Sequence, residues 1–162
     1  MTPFVLLDEL KKFIEKETKD LLSPVMLAHG SKDPKERAAQ VFVMRLKSEK
    51  DKVNKVPYIL LQFIKSEDRQ EPGKAVECRC WVRMIAATYA EDEDEGALAL
   101  LNLLTRIRLA LLREGMVGRQ FILESPLEAV MYPDTPVPYH LGEMMSVWRM
   151  PKMESEVNLW QV

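Results

Sequence analysis

The chain has 162 residues and a mass of 18.7 kDa, about one domain, and that length buries roughly 68–70% of its unfolded surface without disulfide or metal staples. Hydrophobic residues make up 47% and charged residues 30%, a composition that excludes a disordered chain. Twenty-three Lys and Arg against 25 Asp and Glu leave a net charge of −2, so no basic field draws in nucleic acid or an anionic membrane.

No apolar run approaches the roughly 20 residues of a membrane span. The segment Met1 to Lys12 carries Asp8 and Glu9 inside its apolar stretch and lacks a cleavage pattern, so no signal peptide is expected. The expectation is a soluble protein that stays inside the cell that makes it. Thr2-Pro3 is a helix start, with Thr as N-cap and Pro at the first helical position. Phe4, Leu7, Leu10, Ile14, Leu21 and Leu22 recur at three- and four-residue spacing, which predicts an amphipathic helix from Pro3 to Leu22, ended by Ser23-Pro24. His29 to Pro34 reads as a turn-rich loop.

Ala39 to Leu46 is rich in Val and Phe and predicts a strand, followed by a charged connector, Lys47 to Lys55. Tyr58 to Ile64 is nearly continuous apolar, the pattern of a strand covered on both faces. The hydrophilic stretch Lys65 to Lys74 contains Pro72-Gly73 and predicts a hairpin with a long exposed arm. In Val76 to Tyr89 one alternating face is apolar throughout, while the other is charged as far as Arg83. That predicts a long strand whose first half projects from the body.

Five acids, Glu91 to Glu95, precede Gly96 and a helical run, Ala97 to Arg113. Acids at the start and Arg106, Arg108 and Arg113 toward the end suit the helix dipole, and Gly115 is placed as the C′ residue. The leucines of this run cover more than one stripe, so the helix is expected to be buried on two sides, by its own sheet and by something else. Arg119 to Leu123, Ala129 to Tyr132 and Glu143 to Met150 predict further strands, separated by the stiff Pro133 to Pro138 segment. Residues 152–162 are expected to fray. The order predicts one α+β domain over residues 1–151, a largely antiparallel or mixed sheet with two main helices packed on one side.

Candidate chemistry is sparse. Cys78 and Cys80 point to one strand face, and with His29 and His140 they offer a candidate Cys₂His₂ set. Their C-x-C spacing is not that of zinc sites, and two small apolar groups on a buried face is the simpler reading. His29-Gly30-Ser31 is a turn rather than a nucleophile elbow, and no phosphate-binding glycine motif occurs. The acid run reads as a solvated helix start, and Arg45 to Lys55 as a solvated loop without the aromatics of a base-stacking platform. What lacks an internal use is the over-apolar second helix, together with Met144, Met145, Met150, Met153 and Trp148 near the C-terminus, a composition favoured at protein interfaces.

The order of these features suggests a family. An N-terminal amphipathic helix, Pro57 to Leu61, a hydrophilic hairpin, the strand Val76 to Tyr89, the acids Glu91 to Glu95, the helix Leu98 to Arg108, Gly118, Phe121 to Leu123, Pro136 to Glu143 and Trp148 to Pro151 together resemble the tail terminator (tail completion, tail-to-head joining) proteins of long-tailed bacteriophages and prophages. The resemblance spans Pro3 to Pro151; the connector Lys47 to Lys55 and the tail after Pro151 depart from it. It implies a homo-oligomeric ring, a hexamer, that caps the tail tube, stops its polymerisation and offers a surface for head joining. The implied partners are further copies of the chain, the major tail tube protein and the head-tail connector protein. The implied location is the bacterial host cytoplasm and then the neck of the virion. No catalysis, cofactor, metal, nucleic acid or membrane is implied. By the same resemblance Lys65, Arg69, Lys74, Glu77, Arg79 and Trp81 of the hairpin and adjoining strand reach a neighbouring subunit or the tube, and Leu103 and Leu104 of the helix lie near the subunit contact. Two rival classes are another phage assembly component, such as a head-completion protein or tail chaperone, and a small enzyme or ligand-binding domain. The last predicts a deep pocket with converging titratable groups.

Overall fold

A computed structural model describes residues 2–25, 27, 29–32, 34–46 and 56–152. The expected charged connector, residues 47–55, and all but Lys152 of the expected frayed tail lie outside the described residues. In chain order the elements are α1 (Pro3–Thr18), β1 (Leu22–Pro24), β2 (Glu36–Ala38), β3 (Gln40–Val43), β4 (Tyr58–Arg69), β5 (Glu77–Tyr89), α2 (Glu93–Glu114), β6 (Met116–Val117), β7 (Phe121–Met131) and β8 (Tyr139–Arg149). Six strands form one sheet in the order β3-β4-β5-β8-β7-β6, and β1 and β2 pair separately. Only β3 and β4 run parallel; the other pairs of the large sheet are antiparallel. The fold is α+β, with both helices feeding one core.

Helix α1 starts as its sequence dictates, with Pro3 in the first turn, but it stops at Thr18 rather than Leu22. The Thr18 hydroxyl donates back to the Ile14 carbonyl at 2.8 Å. Pro24 biases Ser23 toward extended backbone, and Leu22–Pro24 pairs with Glu36–Ala38 instead of continuing the helix. Strand β3 is shorter than expected because Met44 takes a left-handed conformation, φ 69°, which few non-glycine residues adopt.

Strand β4 is longer than its apolar run. Tyr58 to Leu61 is covered on both faces as expected, Ile59 and Leu61 by the helix-side core and Tyr58 and Leu60 by a smaller cluster with Leu46, Val56 and Ala87. Past a bulge at Ile64 the strand becomes hydrophilic yet stays paired with β5 as far as Arg69↔Glu77. Backbone pairing overrides polarity there, since a solvated edge hairpin leaves its side chains in water. Arg79 to Tyr89 of β5 also pairs with β8. The Cys78 carbonyl still accepts the Met150 N–H at 2.9 Å, so of this strand only Glu77 projects, far less than the expected half. In the last third, the two short strands expected at Arg119 to Leu123 and Ala129 to Tyr132 are one strand, β7, interrupted by an irregularity between Glu124 and Glu128 around Pro126.

Helix α2 begins earlier than expected, because Asp92 caps it: its Oδ1 accepts the Glu95 N–H at 3.0 Å. Gly115 ends it in the left-handed region, φ 64°, its N–H reaching the Leu111 carbonyl at 2.8 Å. The Met and Trp residues near the C-terminus are mostly core rather than surface. Met144, Trp148 and Met150 are buried, and the Trp148 indole donates to the Ser146 hydroxyl at 2.8 Å, which donates on to the Val82 carbonyl. Met153 lies outside the described residues.

Gly96 marks the tightest contact of α2 with the sheet. A Cβ there would overlap Nε2 and Cδ2 of the buried His140 on β8. Gly96→Ala is expected to cost about 1–3 kcal/mol through overpacking. In a His140→Ala background the same change is expected to stabilise by up to about 1 kcal/mol, the ordinary helix preference for Ala over Gly. Urea denaturation of the four members of this cycle checks it; additive effects would contradict the contact.

Candidate functional site

The residues expected at interfaces fall into two groups. Lys65, Arg69, Lys74, Glu77, Arg79 and Trp81 share the β4–β5 hairpin and its root. Lys65 sits opposite Trp81 across the bulged register, its Nζ 4.2 Å from the indole centroid, a cation–π contact. Arg69 pairs with Glu67 at 2.6 Å, and Lys74 pairs with Glu71 across the turn. These pairs are exposed, so they contribute little to stability. Arg79 differs: its Nε donates to Glu124 of β7 at 2.6 Å, and Arg149 approaches the same carboxylate at 3.7 Å. It anchors the root of the hairpin, while Arg69, Lys74 and Glu77 are exposed along the arm.

Leu103 and Leu104, expected near the subunit contact, do not themselves reach the surface of the subunit. They are 1% and 3% exposed, because they belong to the stripe of α2 (Leu100, Leu103, Leu104, Ile107, Leu111) that packs on the sheet. The helix has a second stripe that is exposed among the described residues. Leu98, Leu101, Leu109 and Leu112 are 65%, 49%, 53% and 50% exposed. At 100° per residue their mean direction lies nearly opposite the inner stripe. The apolar excess of this run was visible in the sequence; which leucines faced inward required the core partners, which lie far away along the chain.

The Cys-x-Cys pair does not meet His140. Cys80 pairs with Trp148 and Thr88 with His140, eight positions apart on the same ladder, or about 27 Å. Among the described residues no three His, Cys, Asp or Glu side chains are grouped to hold a metal ion. Burial pushes the Cys78 thiol up to about 12, reinforced by its hydrogen bond to Asp68 on β4, and burial also raises Cys80.

Several depressions among the described residues have the size of ligand sites. One of about 640 Å³ lies between α1 and β3, with Glu15 and Lys19 at its rim. One of about 490 Å³ on the opposite sheet face has Arg45 and Arg83 above Leu60 and Ile85. One of about 380 Å³ beside Leu100 contains His140 and Tyr132. No helix among the described residues is long and apolar enough to cross a membrane. No protein-family model and no curated protein matches the chain.

Two outcomes follow from these placements. Leu103→Ala is expected to destabilise the monomer by about 2–5 kcal/mol, as for a fully buried leucine, whereas Leu101→Ala at high dilution stays within about 0.5 kcal/mol of the parent; matched urea curves separate them. Alkylation of Cys78 in the native protein by iodoacetamide at pH 8 should be at least about tenfold slower than in the unfolded chain, since the thiolate is the reactive form and burial holds Cys78 as the thiol. Native labelling at the unfolded rate would contradict the Cys78 environment.

Proposed function

We propose that the protein is a structural assembly subunit of a long-tailed phage or prophage, a tail terminator whose ring caps the tail tube, stops its polymerisation and offers a surface for head joining. The observation that carries this reading is the β4–β5 arm. Residues 70–75 form its exposed tip, beyond the last pairing with β8 at Arg79↔Arg149. Its charged pairs are internal to the arm. A paired hairpin carried past its own sheet suits contact with another chain. The resemblance in element order along the chain points the same way.

The mechanism follows from interface geometry. A tube elongates while each ring repeats the face that the previous ring offered. A ring that binds the tube end through one face and carries no copy of that face on the other ends growth and fixes length. In this reading Lys65, Arg69, Lys74, Glu77 and Trp81 supply contacts to the neighbouring subunit or the tube, and Arg79 stiffens the arm's root through Glu124. Subunits gather in the host cytoplasm and finish at the neck of the virion, between the major tail tube protein and the head-tail connector protein.

Light scattering across a concentration series, followed by particle imaging, tests the ring. The expected result is a discrete particle of six subunits of 18.7 kDa, or a multiple of six, with a central hole. A strict monomer at every concentration would contradict a preformed ring and favour a chaperone role.

A further inference from the structure

We infer that the outer face of α2 joins two copies of this chain in an antiparallel helix pair around a two-fold axis. The inference is independent of the ring reading. The outer stripe runs Leu98, Leu101, Thr105, Leu109, Leu112, its four leucines exposed and Thr105 half-buried between them. Successive spacings are three, four, four and three, so the stripe reads the same from either end, about Thr105. The five positions fall within an arc of about 80° on the helix surface. Two such helices laid antiparallel with Thr105 on the axis bring Leu98 against Leu112 of the second copy, and Leu101 against Leu109 of the second copy. A two-fold contact demands this self-complementarity, because each residue must meet its mate from the identical patch. A head-to-tail contact or an unrelated partner demands no symmetry in the stripe.

The charges select the same arrangement. Helix α2 begins with Glu93, Asp94 and Glu95 and has Arg113 in its last turn. Antiparallel pairing sets the acidic start of each helix beside the basic end of the other, whereas parallel pairing sets acid on acid. Glu95 and Arg113 lie on the same flank of the stripe. In the two-fold register Arg113 of the second copy falls about 3 Å along the axis from Glu95. Within the subunit Arg113 already pairs with Glu17 of α1 and with Glu114, each at 3.3 Å, but its side chain is 63% exposed, so its contact with Glu95 of the second copy would be shared with these pairs.

Size sets the strength. A 22-residue helix is about 33 Å long, and contact along one helix falls below the roughly 800 Å² per partner of a standard interface. The pair is therefore one that dissociates on dilution. Such a two-fold contact makes closed pairs, whereas a ring needs a head-to-tail contact elsewhere on the surface. Where both exist, two rings pair back to back.

The test compares the parent with Leu101→Lys/Leu109→Lys by light scattering over a concentration series. Both positions are exposed in the subunit, and a thermal melt at high dilution, with Leu101→Ala/Leu109→Ala as a second variant, establishes that the fold is intact. The expected result is a twofold loss of particle mass, from dimer to monomer or from twelve subunits to six. A parent that is monomeric at every concentration, an unchanged mass, or a collapse from six subunits to one would each overturn the two-fold pair. A halved mass with no multiple of six would leave the helix pair standing and defeat the ring, so the two readings fail separately.

Discussion

Everything else in this subunit depends on the inner stripe of α2 lying along the central strand pair. The β5–β8 ladder runs over eleven residue pairs, Arg79↔Arg149 to Tyr89↔Tyr139, roughly 35 Å of strand. The helix packed on it is about 33 Å long, a comparable length. Leu100, Leu103, Leu104, Ile107 and Leu111 share a core with Val82, Met84, Met144 and Trp148. The close approach is possible because each layer contributes a glycine at the contact. Gly96 leaves room for the His140 ring, and a Cβ on Gly142 would fall 2.9 Å from both Leu104 Cδ1 and the Val130 carbonyl oxygen. Once this stripe is seated, the rotation of α2 about its axis is fixed. Leu98, Leu101, Leu109 and Leu112 are then held outward by the same packing that buries the others.

Charge sets orientation within this frame rather than depth of stability. Arg106 meets Asp20 at 3.2 Å and Arg113 meets Glu17 at 3.3 Å, which tie the end of α1 to the second half of α2. Exposed pairs of this kind are worth little individually. Their effect is to fix the slide of one helix along the other. The acidic start of α2 and its basic end suit the helix dipole, and that same polarity gives the outer face its antiparallel preference. The β4–β5 arm is organised differently. Its tip contains no core residue, and its order comes from backbone pairing, from Lys65 over Trp81, and from the Arg79–Glu124 link at its root.

Much of the architecture was legible because single residues carried it. Pro3 opened α1, Gly115 closed α2, and the alternation from Cys78 to Ala86 marked the central strand. The errors have a common cause in long-range pairing. The two apolar runs flanking Pro126 merge into β7 because β8 offers one continuous ladder to both. Leu22 leaves the helix because Ala38 supplies its backbone partner. The candidate surfaces were half legible for the same reason. The charged arm could be read directly, since exposure follows from polarity. Leu103 and Leu104 could not be separated from Leu101 and Leu109, since all four are leucines on one helix. Only the position of the sheet decides which stripe is spent on folding and which remains for another chain.

The central claim is that one helix carries two opposite leucine stripes, one that builds the subunit and one that joins copies. Crosslinking at the symmetry point tests it most directly. Thr105→Cys places a thiol on the proposed axis, while Cys78 and Cys80, both raised by burial, stay slow to react at neutral pH. A short bis-maleimide is expected to convert the variant to a covalent dimer in a concentration-dependent way, with the parent protein unchanged. A variant whose introduced thiol labels fully but which remains single-chain at every concentration would contradict the account.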